Sequence, residues 1–545
     1  MTHLSYYQPT VVLASIPGNK SPNYNGAITR KWLKTMDLLP HLMLGGKNLL
    51  DCLNPTSNYL PYWYMVVDAE RRAEYRFRPH CTGHNIGRWW NTMLRLEASV
   101  GFSIPSVIDQ AMLVNTWHLA ANPSGIFLED INSADASNWY IHSYRETMLA
   151  YGLLVKYRND PKARDYGRRA ILQMRRASQD LQQWDFSYGS GLTSLIKTPT
   201  QPVYTHGRAI EGLLCFYQAT GEALALDEAE RLATYHTTHT FNANGNLAQE
   251  CGHHTHSYLN TLRGVLQLAT IQQQQDRLQM LYASYKNAVR PMITHSGFIT
   301  HDIGNKYDGD IASAGDIAHI ALLLWDYCND PTLLDDAERL IRARLLPAQV
   351  TAPMPITPLK NTDNDAHRDL PTRFIGAIGG SVGHVKGQSC VTDFTAATLH
   401  SLIELWQRSV DLEDHQIRIN FHFDRKLPNI QIKAIRQNTE ASITVHCSVP
   451  NKDLLIRVPT WVPTNTLHLT LNEQSLEAVP ENGFVRITAQ QAPFIVHMRY
   501  SLPADTVTEP WRDRFATQEV VHFKWRGDEI YDVDLPGSYM EPFPT

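Results

Sequence analysis

Between about residues 25 and 408 the apolar positions recur three and four apart, as in Ala209, Leu213 and Phe216 or Ile317, Ile320 and Leu324. That spacing gives a helix one buried stripe. Start and stop signals predict twelve helices, near 28–40, 84–100, 105–121, 138–156, 160–180, 205–219, 224–238, 253–271, 274–289, 312–327, 331–346 and 391–408. The boundaries repeat: Asn159-Asp160-Pro161, Gly221-Glu222, Gln274 to Asp276 and Asn329-Asp330-Pro331 each end one helix and open the next, roughly 55 to 60 residues apart. Leu226 to Leu232 also matches Leu334 to Leu340 almost residue for residue. Six such hairpins closed on themselves make an (α/α)6 toroid with alternating inner and outer helices; an open solenoid is the competing arrangement.

After Asp411 the period falls to two, as in Gln416 to Phe423 and Phe484 to Ile487. Further strands are expected at 430–436, 441–447, 454–458, 467–471 and 494–500, separated by turns such as Pro450 to Asp453 and Glu481-Asn482-Gly483. The predicted fold is mainly α with a β domain, a toroid followed by a C-terminal antiparallel β-sandwich. The expected organisation is an arm at 1–24, the toroid at 25–410, the sandwich at 411–510 and a tail at 511–545. In the tail, Val520 to Trp525 either adds a strand or packs on the toroid.

The 545 residues are 43% hydrophobic and 19% charged, which excludes a disordered or fibrous chain. Forty-nine Lys+Arg against 54 Asp+Glu, a net charge of −5, argues against a nucleic-acid partner. With no run of 18 apolar residues and no signal-peptide pattern at Met1 to Lys20, the expectation is a cytoplasmic protein with no membrane partner. Seven cysteines, scattered and without a CxxC, disfavour a disulfide framework or a zinc finger. Homo-oligomerisation is left open.

Alternation places the starts of the predicted inner helices, near 84, 138, 205, 253, 312 and 391, on one rim. They carry His84-Asn85, Asn138-Trp139 with His142, Tyr204 with His206, His253-His254 with His256, then Asp308, Asp310 and Asp316, and finally Ser389-Cys390 with Asp393. Helix N-termini add unpaired N–H donors, which suit oxygen-rich ligands. Asp and Asn at a helix start also serve as caps, but histidine is not a preferred cap, so the clustering points to a cleft. Glycosidic cleavage uses paired carboxylates. The rim offers Glu250, Asp302, Asp308, Asp310, Asp316 and Asp393. Asp316 and Asp393 stand out because each lies in an apolar helix, where desolvation raises a pKa; the alternative for both is a capping role. Trp63, Trp89 and Trp90 could form a flat wall for a sugar, one of Trp89 and Trp90 is expected to reach the cleft, and Arg88 is a candidate to hold a substrate carboxylate. Arg71 and Arg72 are better placed to pair with Asp68, Glu70 or Glu74 at the surface. Glu250 to His256 combines carboxylate, thiolate and imidazole, but without a compact three-ligand spacing. No cofactor is therefore expected, zinc being the disfavoured alternative.

The order of features resembles glycoside hydrolase family 127, the β-L-arabinofuranosidase-like group. Gly83 to Trp90 is similar to that family's first inner helix, His206-Gly207-Arg208-Ala209 to its GHA helix, and Leu455 to Trp461 to its RIPxW strand. The resemblance implies a toroid plus sandwich acting on glycosides. It also implies a zinc-bound cysteine nucleophile built from a Glu, an ETC segment and a Cys-Cys pair. Only Cys390 matches, Ser313 to Asp316 standing where ETC belongs. The expected function is a glycosidase cleaving a terminal bond in a short oligosaccharide, with Asp316 and Asp393 catalytic, joined by Glu250. His84, Asn85, Arg88, Trp89, Asn138, His142, Tyr204, His206, His253, His254, His256, Asp308, Asp310 and Cys390 are the expected substrate contacts. A lyase acting on a uronate, with Tyr204, His206 or His256 as base, and a non-catalytic sugar-binding protein are the rival readings.

Overall fold

A computed structural model describes residues 36–67, 73–77, 81–133, 139, 141–179, 202–241, 245–248, 252–304, 309–353, 364–379, 390–510 and 520–533. Twelve helices of ten or more residues fall among them: α1 (Leu39–Asp51), α2 (Thr82–Val100), α3 (Ser106–Ala120), α4 (Tyr144–Arg158), α5 (Pro161–Ala177), α6 (Ala209–Thr220), α7 (Ala223–Tyr235), α8 (Thr255–Ile271), α9 (Gln275–Ser284), α10 (Ile311–Cys328), α11 (Pro331–Leu340) and α12 (Thr392–Gln407). Helices α2, α4, α6, α8, α10 and α12 pack in that order, and α12 packs on α2. The ring is closed. The six odd-numbered helices lie outside it.

The repeated Asn-Asp-Pro boundary works as its residue types dictate. Asn159 and Asn329 end α4 and α10 in the left-handed conformation, at φ 51° each. Asp160 and Asp330 accept from the backbone N–H groups of Lys162 and Thr332, and Pro161 and Pro331 open α5 and α11. Outer helices α7, α9 and α11 continue into π-helical turns at His236–Thr240, Tyr285–Val289 and Ile341–Leu345; the last two fall within the predicted spans and the first runs two residues past its own. Two predicted starts differ. The helix predicted at 28–40 meets α1 only at Leu39 and Pro40, because α1 runs on to Asp51 and residues 28–35 lie outside the described set, and α4 begins at Tyr144 after one 3₁₀ turn.

Inner helices meet at glycines. A Cβ on Gly87 of α2 would stand 2.7 Å from the backbone of Glu146, and one on Gly212 of α6 would stand 2.7 Å from the carbonyl oxygen of Arg145. This close approach brings the side chains at the axis within bonding distance of one another. A small sheet not expected from the sequence, Ala73–Arg76, Tyr64–Val67 and Cys390–Val391 in that order, closes the N-terminal end and places Trp63 beside the start of α12. The bond from Thr392 N–H to the Trp63 carbonyl fixes that neighbourhood at 3.0 Å.

The β domain contains β1 (Val410–Leu412), β2 (Gln416–Ile419), β3 (Arg425–Leu427), β4 (Ile430–Arg436), β5 (Glu440–Cys447), β6 (Asp453–Arg457), β7 (His468–Leu471), β8 (Gln474–Leu476), β9 (Phe484–Ile487) and β10 (Phe494–Ser501). They form a six-stranded sheet, β8-β7-β10-β5-β4-β3, and a four-stranded one, β9-β6-β2-β1. Alternate residues Ala441, Ile443, Val445 and Cys447 of β5 and Phe494, Val496, Met498 and Tyr500 of β10 are buried in one core. Pairing is antiparallel except between β2 and β6, where Ile417 meets Leu454 in a parallel register. The tail satisfies both alternatives. A three-stranded sheet of β11 (Ala504–Pro510), β12 (Val520–Arg526) and β13 (Glu529–Val533) packs Val521, Phe523 and Trp525 against Phe298 and Ala343 of the toroid.

Candidate active site

The N-terminal ends of the inner helices gather one connected set of rings and charges. His84 and Arg88 come from the first turns of α2, Arg145 and Glu146 from α4, Arg208 and Glu211 from α6, His256, Asn260 and Arg263 from α8, Asp316 from α10 and Asp393 from α12. Asp393 lies in the first turn of its helix, its side chain 12% exposed. Its Oδ1 pairs with Arg88 Nε at 2.5 Å and lies 3.0 Å from His84 Nε2, which accepts from Arg88 Nε–H at 3.1 Å. Burial raises this carboxyl, but Arg88 and His84 outweigh burial and hold it well below the usual carboxylate range. Asp393 is an anion.

The far side of Arg88 fixes a tautomer. Arg88 Nη2 lies 2.7 Å from His256 Nε2, and because guanidinium only donates, that nitrogen is the acceptor. The proton of His256 therefore sits on Nδ1, 2.6 Å from Asp316 Oδ2. Asp316 also accepts from Asn260 Nδ2 at 3.2 Å and from Arg263 Nη1 at 2.6 Å. Burial raises the Asp316 carboxyl and Arg263 and Arg145 only partly offset it, whereas burial beside Arg88 keeps His256 neutral. Deeper still, Arg263 and Arg145 share Glu211, at 2.9 and 2.6 Å. Arg145 and Arg208 share Glu146, at 2.8 and 2.7 Å. Four guanidiniums thus face four carboxylates along the axis, and each charge has its counterpart.

Flat rings cover this lattice. His84, His142 and Tyr204 form a stack, with centroids 5.2 and 4.0 Å apart and planes within 10° and 22°. His254 stands edge-on to Tyr204 at 5.4 Å, and Trp63 leans on His84 at 5.6 Å. Burial, reinforced by Arg208 for His142 and by His301 for His254, depresses both imidazoles well below their ordinary value. His142, Tyr204 and His254 are half-buried, so ring faces and edges border the anionic Asp393.

Of the residues expected here, His84, Arg88, His142, Tyr204, His254, His256, Asp316 and Asp393 come together. Others do not. Trp89 and Trp90 are both in the core, donating to the Leu49 carbonyl and to Thr116, because α2 is buried on both faces. Trp63 alone of the three reaches the site. His206 turns toward the outer layer, with Nδ1 3.0 Å from His236 Nε2, and His253 is exposed. Asn85 donates to the Tyr62 carbonyl. Asp310 caps α10 through Ala312 and Ser313, and Asp316 lies one turn further in, so the capping alternative belongs to Asp310. His254 is itself the cap of α8, accepting from the Ser257 N–H, against the expectation that histidine does not cap. Asn138, Glu250, Asp308, Arg71 and Arg72 lie outside the described residues, as does the side chain of Cys390. Arg145, Glu146, Arg208, Glu211, Asn260 and Arg263 were not expected. Their signal is a charge every three or four residues in helices that are otherwise apolar all round.

Among the described residues there is no group of three or more His, Cys, Asp or Glu side chains that could hold a metal ion; Glu250, Cys251 and the side chain of Cys390 lie outside them. Asp316, where the family resemblance places ETC, is bonded to Arg263, whose positive charge opposes a dication.

No protein-family model matches the sequence, and no curated protein does. The fold has solved counterparts, which include glycoside hydrolases and sugar epimerases. A GH127 β-L-arabinofuranosidase from Geobacillus stearothermophilus T6 is similar at a TM-score of 0.55 and 11% identity, covering 82% of this chain and 76% of that one. A GH127 β-arabinofuranosidase is similar at 0.54 and 12%, covering 91% and 81%, and a structure described as a glycoside hydrolase at 0.56 and 10%, covering 82% and 77%. At these identities the likeness is one of fold.

Proposed function

We propose that the protein is a carbohydrate-active enzyme that hydrolyses a terminal glycosidic bond in a short oligosaccharide, with Asp393 as the carboxylate that meets the substrate. One observation carries the reading: an anionic carboxylate, aimed by Arg88 and His84, sits at the partly exposed end of the ring among stacked imidazole and aromatic rings. Such an anion serves either as nucleophile at the anomeric carbon or as base toward water, while Trp63, Tyr204, His142 and His254 offer faces and donors for a sugar. Asp316, its expected partner, is 2% exposed and bonded to His256, Asn260 and Arg263. In this reading it anchors His256 and, through it, Arg88. Uronate elimination is disfavoured, since Arg88 is already engaged by Asp393 and His256.

A panel of nitrophenyl glycosides, headed by arabinofuranosides and run with and without chelator, tests the proposal. Wild type is expected to turn over at least one neutral glycoside, and Asp393→Asn to lower kcat about 1000-fold, roughly 4 kcal/mol of barrier. A folded Asp393→Asn variant within threefold of wild type, or binding without turnover across the panel, sinks it.

A further inference from the structure

Two buried polar atoms beside Asp393 face each other. His84 Nδ1 and Glu146 Oε2 are 3.6 Å apart, each without a hydrogen bond, on side chains 3% and 0% exposed. Across the same ring, His84 Nε2 lies 3.0 Å from Asp393 Oδ1. The ring has little freedom to turn, with His142 stacked on it and Trp63 leaning against it. Glu146 is equally fixed. Its Oε1 accepts from Arg145 and Arg208, which leaves Oε2 directed at His84. The absence of a Cβ at Gly87 lets α2 approach α4 closely enough for this meeting.

We infer that Glu146, His84, Arg88 and Asp393 act as one relay, in which Glu146 sets the ring of His84, and His84 holds Arg88 so that it aims Asp393 at the substrate. The inference rests on the proposed role of Asp393. Arg88 Nε–H donates to His84 Nε2 at 3.1 Å, so that nitrogen is the acceptor and the ring proton lies on Nδ1, facing Glu146 Oε2; the ring is held by its chemistry as well as by stacking. A reacting group oriented by a base that is itself oriented by a third residue is a general device for fixing attack geometry. Arg88 completes it, with Nε 2.5 Å from Asp393 and 3.4 Å from Glu146 Oε1, a positive charge set between the two acids. His84 and Glu146 are positioning residues; neither is required to touch the sugar.

Kinetics of His84→Ala, His84→Gln and Glu146→Gln on the best glycoside, with thermal melts, test the relay. Glutamine at 84 keeps an acceptor oxygen for Arg88 but offers no imidazole N–H to Glu146. The expected result is a kcat 10- to 100-fold lower for Glu146→Gln, a larger fall for His84→Ala, and partial recovery in His84→Gln, all with KM within threefold. Should Glu146→Gln fail to fold, the two His84 variants decide. Folded His84 variants that keep kcat within threefold while Asp393→Asn is inactive overturn the relay and leave the Asp393 reading standing. Equal losses in His84→Gln and His84→Ala overturn it as well. An active Asp393→Asn variant fails the underlying reading instead.

Discussion

Several histidines among the described residues are neutral parts of the packing. His319 on α10 stands edge-on to His400 of α12, and His422 lies 2.7 Å from the Tyr500 hydroxyl and 2.8 Å from the Arg457 carbonyl, which its Nε2–H reaches as donor. Burial drives both rings down to about 3, helped by Arg263 for His319 and by Arg342 for His422. In the unfolded chain they titrate near 6.5, so below that pH the unfolded state binds protons that the folded state does not. Stability therefore falls with pH from about 6.5 to about 3, by about 1.4 kcal/mol per histidine per pH unit. At pH 5 the two together remove about 4 kcal/mol. Glu146 and Asp393, whose arginine partners outweigh burial and depress their carboxyls, add a further loss only below about pH 4.5. Urea midpoints at pH 7.5 and 5.0 should differ accordingly, and the gap should narrow in a His319→Gln/His422→Gln variant. Equal midpoints would falsify the assignment. The histidine count was plain in the sequence, but not which rings face the site: His142 and His254 border it while His206 and His236 bond to each other behind it. A sequence gives the residue type at a helix start and leaves its rotation about the axis undetermined.

Helix boundaries carry the opposite lesson. The Asn-Asp-Pro turns could be read residue by residue because each amino acid there satisfies one local requirement: a left-handed φ, a cap or a fixed first φ. Features set by contact between helices were not legible. Gly45-Gly46 lies within α1, where a Cβ on Gly45 would stand 2.5 Å from Leu399. Two- and four-residue strands such as Cys390–Val391 are too short to show a period. Gly212 turns this into a measurement. Replacing a glycine in an exposed helix interior by alanine gains about 1 kcal/mol of helix propensity. Here the new Cβ meets the Arg145 carbonyl oxygen at 2.7 Å and the Met148 Cβ at 2.9 Å, and backbone cannot rotate aside. Overpacking of this kind costs about 1–3 kcal/mol, so Gly212→Ala should lower the melting temperature despite the better helix former. Calorimetry showing a higher melting temperature would mean that α4 and α6 are not held at the separation described.

At the scale of the molecule, toroid, sandwich and tail are joined by buried charge. The strand that resembled RIPxW supplies the centre: Arg457 of β6 bonds Asp335 at 2.5 Å and also pairs with Glu338, both on α11, while its side chain is 1% exposed. Arg342, one turn beyond Glu338, pairs with it and donates to the His422 carbonyl at 2.8 Å. Arg436 of β4 reaches Asp528 between β12 and β13 at 2.5 Å. A motif expected to mark a strand is thus a clamp across the domains, legible as apolar alternation but not as a joint, since its partners lie more than a hundred residues away. Removing Arg457 leaves Asp335 without its cation and Glu338 with Arg342 alone, at a cost of up to about 3–5 kcal/mol. Arg457→Met preserves the length of the side chain and deletes the charge, so its effect isolates the ionic contact from packing. The expected outcome is a lowered first unfolding transition in which sandwich and toroid melt separately, with kcat at 20 °C within threefold of wild type, because no atom of the clamp touches His84, Arg88 or Asp393. A single unshifted transition would show that the shared apolar surface alone holds the domains together; a collapse of kcat in the folded variant would show that the sandwich acts on the ring from a distance.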